Sequence, residues 1–427
     1  MINRVPPQRQ LPYIHHVNRR HLEFSCGIVV VGLAAGLAGM ATTLLLHAVE
    51  HLTYHYTFGS LLEGVTGASP VRRAVGPMIG GALAGFGWWL LRRRVQVPGL
   101  SATIANHKPV PRLPLTLDAG LQVFLVGSGA SLGREGAPRQ FAAVLGDLGT
   151  SRWALTPRDR EILLACAAGA GLAAVYSVPL GGALFATRIM LKTWHPRALG
   201  AALITSSLAV AVASPVTHSA APLDWPAPQV SYLLTGFALL LAPLSFGVGM
   251  AFNRIMDRAR PAVTPTSWLL IPAIAAAGLL IGLCSIRWPE LPGNGKSILT
   301  VSLNSGMTLA AAVMIFLLKP LLTAVFLRAG AVGGMLTPAL ATGSAMGSIV
   351  ALSINGWTEY SVSVAAVSLT CAAGVLSITQ GAPVWAALFV WELARPPWWM
   401  LLPFLVAAAA AHGLRVLSER RNMVPAK

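Results

Sequence analysis

Residues 127–146 read GSGASLGREGAPRQFAAVLG, a glycine-rich break that carries Arg134 and Glu135 between apolar stretches. An ionisable group at bilayer depth costs about 2.5–3.5 kcal/mol on insertion scales, so a carboxylate kept there points to an ion or proton pathway. The same residues also suit a glutamate at a span end that reaches the headgroups or pairs with Arg134. The surrounding chain decides between the two.

Only 11% of the 427 residues are charged and 55% are hydrophobic; mean hydropathy is +0.66. A water-facing globular surface needs roughly a quarter charged residues, so the chain is read as an all-α integral membrane protein. Apolar stretches recur at 26–47, 74–91, 117–132, 161–176, 179–191, 197–215, 229–251, 267–286, 308–327, 333–353, 362–377, 383–393 and 399–417. Several fall short of the roughly 20 residues a full span needs, which predicts tilted, broken or half-spanning helices.

The net charge of +17 does not imply nucleic acid, because the basic residues gather at span ends and loops, as at Arg92-Arg93-Arg94 and Arg420-Arg421. Positive-inside bias accounts for them. With residues 1–23 (Arg4, Arg9, Arg19, Arg20) in the cytoplasm, 26–47 leads out and 74–91 returns to deliver the Arg92 cluster inside. No cleavable leader is visible, since the first apolar run passes 20 residues and has no small-residue cleavage site. Cys26, Cys166, Cys284 and Cys371 show no paired spacing, which indicates neither a disulfide framework nor a zinc knuckle. His47, His51 and His55 fall at i, i+4, i+8 with Glu50 nearby; a wet helix end on the outer side explains them better than a metal site, because a closed ligand set is missing.

Shifting the sequence by about 200 residues brings two pairs of segments into register. AAGAGLAAVYSVPLGGALFATR (167–188) lies against CAAGVLSITQGAPVWAALFVWE (371–392), matching Ala168 with Ala372, Leu172 with Leu376, Pro179 with Pro383 and Leu184-Phe185 with Leu388-Phe389. In the second pair Gly133 falls on Gly333 and Pro138 on Pro338. The chain thus divides into halves at about 24–215 and 229–417, joined by the Pro- and Ala-rich segment 216–228, with a tail at 418–427.

Paired interruptions at matching positions of two halves are the best sequence pointer to a midplane site in a transporter fold. A Gly-rich turn before a helix start leaves N–H groups without intrahelical partners, and the helix dipole adds to them, which makes an anion site. Gly133 to Pro138 predicts a helix running toward Leu148, and Gly333 to Pro338 one toward Ile349; each proline suits a first turn, where its missing N–H costs nothing. Glycine and proline that merely pack helices closely would explain one such segment but explain two matched ones less well. Backbone donors hold an anion without trapping it against a full opposite charge, as permeation requires.

GREGAP and GGMLTP, with AAVYSVPLGGALF and TQGAPVWAALFVWE, resemble the CLC chloride channel and transporter family, and the resemblance runs from about 26 to 417. Within the family a bacterial group of chloride channels is the most similar. The resemblance implies a homodimer with one anion pathway per subunit, an inverted-repeat bundle of tilted and broken helices, and both termini in the cytoplasm of a bacterial cell with the protein in its inner membrane. Glu135 matches the external gating glutamate, and the backbone amides of Gly136, Met335 and Leu336 match positions that coordinate chloride. A carboxylate that competes with an anion leaves the path when protonated, so acid is expected to open it.

Three departures from the family pattern bear on mechanism. Where the family has an inner GSGIPE loop with a chloride-binding serine, this chain reads VPGLSATIAN, and Ser101 is the nearest hydroxyl. The internal glutamate of proton-coupled members is replaced by Ile189, with Arg188 just before it. No tyrosine follows Tyr360, so the family's coordinating tyrosine has no equivalent. These losses favour passive or loosely coupled conduction, a voltage-gated chloride channel or permease, over strict chloride/proton exchange. Glu392, aligned by the repeat with Arg188, is the remaining carboxylate at membrane depth and suits a capping role near the dimer interface.

The first alternative is a chloride/proton antiporter with a non-standard inner proton path. An intramembrane enzyme is the distant one, since no HExxH, no GxSG-type nucleophile turn and no facing pair of membrane carboxylates is read. No cofactor and no metal are expected, chloride or a similar small anion is the transported ion, lipid and a second copy are the expected partners, and the short tail leaves no room for a nucleotide-binding regulatory module.

Overall fold

The computed structural model describes residues 11–217, 232–304 and 306–423, with side chains from Arg19 to Arg420. The first half contains α1 (Leu11–Tyr54), α2 (Leu61–Gly67), α3 (Pro70–Arg92), α4 (Leu100–Ala105), α5 (Arg112–Gly127), α6 (Gly136–Thr150), α7 (Pro157–Tyr176), α8 (Pro179–Leu184, continued by a π turn at Phe185–Met190) and α9 (Pro196–Thr217). The second contains α10 (Tyr232–Ala259), α11 (Leu270–Arg287), α12 (Lys296–Leu303), α13 (Leu309–Arg328), α14 (Leu336–Trp357), α15 (Val364–Gln380), α16 (Pro383–Ala394) and, after a short 3₁₀ turn, α17 (Leu401–Met423). Apart from α2 the halves run in step, α3 with α11 through α9 with α17.

Eight of the described helices are long and apolar enough to cross a membrane, whereas α4, α8 and α12 are short pieces. The breaks have local causes that recur in both halves. Helix α7 ends on Ser177 and α15 on Gly381, equivalent positions that both adopt left-handed φ of 56° and 68°. Two residues later Pro179 and Pro383 occupy the first turns of α8 and α16, where the missing N–H of proline costs nothing.

Small residues bring the backbones together. Gly81 and Gly85 on α3 face the main chain of Ile274 and Leu270, and Gly278 and Gly282 on α11 face that of Pro77 and Arg73. A Cβ at Gly85 would sit 2.8 Å from the Leu270 carbonyl oxygen, so alanine there separates the helices. In the same manner Gly343 and Gly347 let α14 approach α15 at Cys371–Ala372 and Val367–Ser368. The two largest clusters of the core that results are centred on α14–α17 and on α3, α5, α11 and α13, and smaller ones join α1, α6, α7 and α9.

Several boundaries differ from those read in the sequence. Helix α1 is continuous from Leu11, so the division at 23/24 falls inside it, with Arg19 and Glu23 joined one turn apart by an ion pair of 3.0 Å. It ends at Tyr54, and His55 adopts φ 59°, so only His47 and His51 share the helical face. Of the joining segment 216–228, residues 216–217 belong to α9 and the rest lie outside the described residues. Helix α17 carries the tail's first residues to Met423.

Candidate functional site

Helices α6 and α14 begin at one point. Gly133 N–H donates to the Gly334 carbonyl at 2.7 Å and Gly334 N–H to that of Gly133 at 2.8 Å, an antiparallel bridge between the two glycine-rich turns. The turns therefore meet inside the protein, and each is followed within three residues by a helix start. Both bridge glycines make room for the seated gate: a Cβ on either would fall within the Glu135 carboxylate, so the side chain would have to move.

Glu135 is only 1% exposed. Its Oε1 accepts the Leu336 N–H, the first amide of α14, at 2.7 Å, while Oε2 accepts the Thr337 hydroxyl at 3.3 Å and lies 3.5 Å from the Tyr176 hydroxyl. The side chain is thus a tethered anion seated on the dipole and unpaired amides of a 22-residue helix. Arg134 points elsewhere: its Nη2 donates to the Val175 carbonyl at 3.0 Å, and the guanidinium lies 5.2 Å from the Tyr176 ring centroid. A simple Arg134–Glu135 ion pair is therefore not what holds Glu135 at this depth.

Arg134 and Lys296 act on one another and on Glu50 of α1, so the charges near the gate are of both signs. Lys296 begins α12, and desolvation by its surroundings, then the Arg134 charge, hold its ammonium below the usual lysine range. Lys319, fully buried on α13, donates to the carbonyls of Leu291 and Gly293 at 2.9 and 2.7 Å and so anchors the loop before α12. One turn along, the Thr323 hydroxyl donates to the Ser131 carbonyl at 2.8 Å and fixes the approach to Glu135. Residues 129–133, GASLG, do carry the spacing of a nucleophile turn, which the sequence reading passed over. Ser131 Oγ faces Thr323 Oγ1 at 3.2 Å and the Lys319 carbonyl, and no histidine bonds to it among the described residues.

Of the anion-binding candidates, the structure places Leu336 N–H directly on the Glu135 carboxylate; Met335 is the residue that caps α14, and Gly136 opens α6. Ser101 lies on α4, exposed, its hydroxyl 3.5 Å from the Met190 sulfur. Ile189 is half-buried in the π turn after α8 and packs against the α14–α17 core, while Arg188 stacks on Trp194 with 4.3 Å to the ring centroid.

Tyr176 and Thr337 went unread in the sequence, being hydroxyls 161 residues apart in the chain. Asp118 was also passed over, so Glu392 is not the only further carboxylate at depth. Asp118 lies on α5, 3% exposed, and accepts from Trp88 Nε1 at 2.8 Å, Gln122 Nε2 at 2.8 Å and Gln140 Nε2 at 3.1 Å. Gln122 in turn presses its Oε1 against Gly136, so this network braces the start of α6. Glu392 caps α8, accepting the Leu180 and Gly181 amides at 2.9 and 2.5 Å. The four cysteines are free.

A family profile described as voltage gated chloride channel matches residues 80–415. Voltage-gated ClC-type chloride channel ClcB proteins of Escherichia coli strains SMS-3-5 and O157:H7 are 29% identical over 390 residues, covering 89% of this chain and 92% of theirs. Among solved structures, a slow cyanobacterial Cl⁻/H⁺ antiporter superposes with TM-score 0.73 at 20% identity, covering 93% of this chain and 98% of its own. A CLC-type fluoride/proton antiporter superposes with TM-score 0.71 at 17% identity, covering 95% and 97%. With the broken inverted repeat and the paired helix starts, these likenesses place the chain in the CLC family of voltage-gated chloride channels and transporters.

Proposed function

We propose that the protein conducts chloride, or a similar small monovalent anion, across a bacterial inner membrane, with Glu135 as the gate of the path. The observation that carries this reading is the Glu135 carboxylate on the Leu336 amide: the site that accepts a tethered anion accepts a free one once the side chain leaves. Backbone amides of Gly136, Met335 and Leu336 supply the donors, and cations meet the wrong end of the α6 and α14 dipoles. The E. coli relatives named as chloride channels support the same class. Both termini are assigned to the cytoplasm and the working unit to a homodimer with one path per subunit, on the family resemblance.

Uncoupled or loosely coupled conduction is favoured by Ile189 at the inner relay position, with the Arg188 cation beside it. The structures named as antiporters support the alternative, exchange of anion for proton, in which a different side chain completes the inner route. Simultaneous chloride and proton recording in proteoliposomes separates them. Conduction predicts chloride current that reverses at the chloride potential with no proton movement; proton uptake driven by a chloride gradient, in a fixed ratio, would establish exchange instead.

A further inference from the structure

Helix α6 runs from the gate toward the inner side. Its far end leads to Ala154, whose N–H donates to Glu23 near the start of α1 at 2.9 Å, whereas Arg134, just before the gate, shares a small enclosed gap with Thr42 and Thr43 from the outer part of α1. One turn inward of Glu135 along this helix stands Arg139. Its Nε donates to the Glu135 main-chain carbonyl at 2.7 Å, and its guanidinium carbon lies 5.1 Å from the centroid of the Phe185 ring. Phe185 is the first residue of the π turn that carries Arg188 and Ile189.

Arg139 is half-buried, and among the described residues it forms no ion pair and no hydrogen bond other than that from Nε. A guanidinium presents five donors, and the opposite charge within electrostatic reach of Arg139 is the Glu135 carboxylate, the group that leaves when the gate opens. The two terminal nitrogens, held by the Phe185 stack and the Nε bond, form a planar fork with no protein acceptor. A fixed cation with free N–H groups can hold a small anion.

We infer that Arg139 is an anion-binding residue on the inner side of the gate, taking the chloride or similar small anion that has passed the Leu336 amide. This rests on the reading of the Glu135 site as an anion path. The fixed charge, one turn from Glu135 and stacked on the segment where Ile189 replaces a carboxylate, also opposes a proton on the same route. Arginine at this position therefore holds anions and repels protons.

The test is chloride titration by calorimetry in the Glu135→Gln background, where the tethered carboxylate no longer competes. Arg139→Met keeps the volume over Phe185 and removes the charge; it is expected to weaken chloride binding by at least about tenfold, the loss of one charge-assisted contact, while Arg139→Lys stays within about threefold of the parent. Unchanged affinity in Arg139→Met, with only a lowered melting temperature, would overturn the inference and leave Arg139 as packing for Phe185. Should the methionine variant fail to fold, bromide-soaked crystals of the Glu135→Gln protein decide: an anomalous peak on the guanidinium supports the inference, and bare nitrogens overturn it. Failure of the Glu135→Gln parent itself to bind chloride would instead remove the reading of the gate.

Discussion

Glu135→Gln is expected to raise chloride flux at neutral pH by about tenfold or more and to flatten its dependence on pH. The carboxylate is held by the Leu336 amide and the Thr337 hydroxyl, and hydrogen bonds to a charged group are worth about 1.5–3 kcal/mol against about 1 for a neutral one. Each 1.4 kcal/mol is a factor of about ten in the odds of occupancy, so a neutral amide leaves the site far more often. The sign for the unmodified protein follows from the same contacts: protonation removes the charge that seats the side chain, so flux rises as pH falls. Radiotracer chloride efflux from liposomes between pH 4.5 and 7.5 measures both effects. Retention of the wild-type pH profile in Glu135→Gln would remove Glu135 from the gate.

Gly334→Ala is expected to open the path without touching the carboxylate. A methyl group there would lie 2.7 Å from Glu135 Cγ and closer still to the carboxyl carbon and Oε1. One of two things must yield, the bridge to Gly133 or the Glu135 side chain, and the flexible side chain is the softer. Chloride efflux at neutral pH should then approach that of Glu135→Gln, with the protein still folded. In a Glu135→Ala background the clash has no partner, so the same glycine substitution should add little, and the double-mutant cycle reads the coupling. Equal effects of Gly334→Ala with and without Glu135 would mean that it acts on the bridge instead.

The parts of this architecture that repeat were the parts legible in the sequence. Pro179 with Pro383, and the glycine turns at 133 and 333, each appear twice, and each sets a helix start through a local backbone preference that needs no knowledge of neighbours. The repeat sets Ser177 on Gly381, but their shared left-handed conformation was hidden, because a serine carries no compositional mark of it. Tyr176 and Thr337 converge on Glu135 only because α7 packs beside α6 and the Gly133–Gly334 bridge brings the start of α14 to it, tertiary facts outside any local window. Asp118 stood in plain view within an apolar stretch; its partners Trp88, Gln122 and Gln140 come from three helices, so its burial was not visible from spacing. Arg139 reads in the sequence as one more basic residue near a span end, and only the ring of Phe185 beneath it and the carbonyl of Glu135 above it set it apart.

The amide-lined start of α14 is proposed as an anion site which Glu135 occupies as a stopper. This is tested most directly by anomalous diffraction from bromide-soaked crystals of the wild-type and Glu135→Gln proteins at neutral pH. A bromide peak is expected within hydrogen-bond reach of the Leu336 nitrogen in the variant, at the position the carboxylate holds in the wild type. Bromide density that avoids this nitrogen in the variant, or a Leu336 amide occupied only by protein groups, would contradict it.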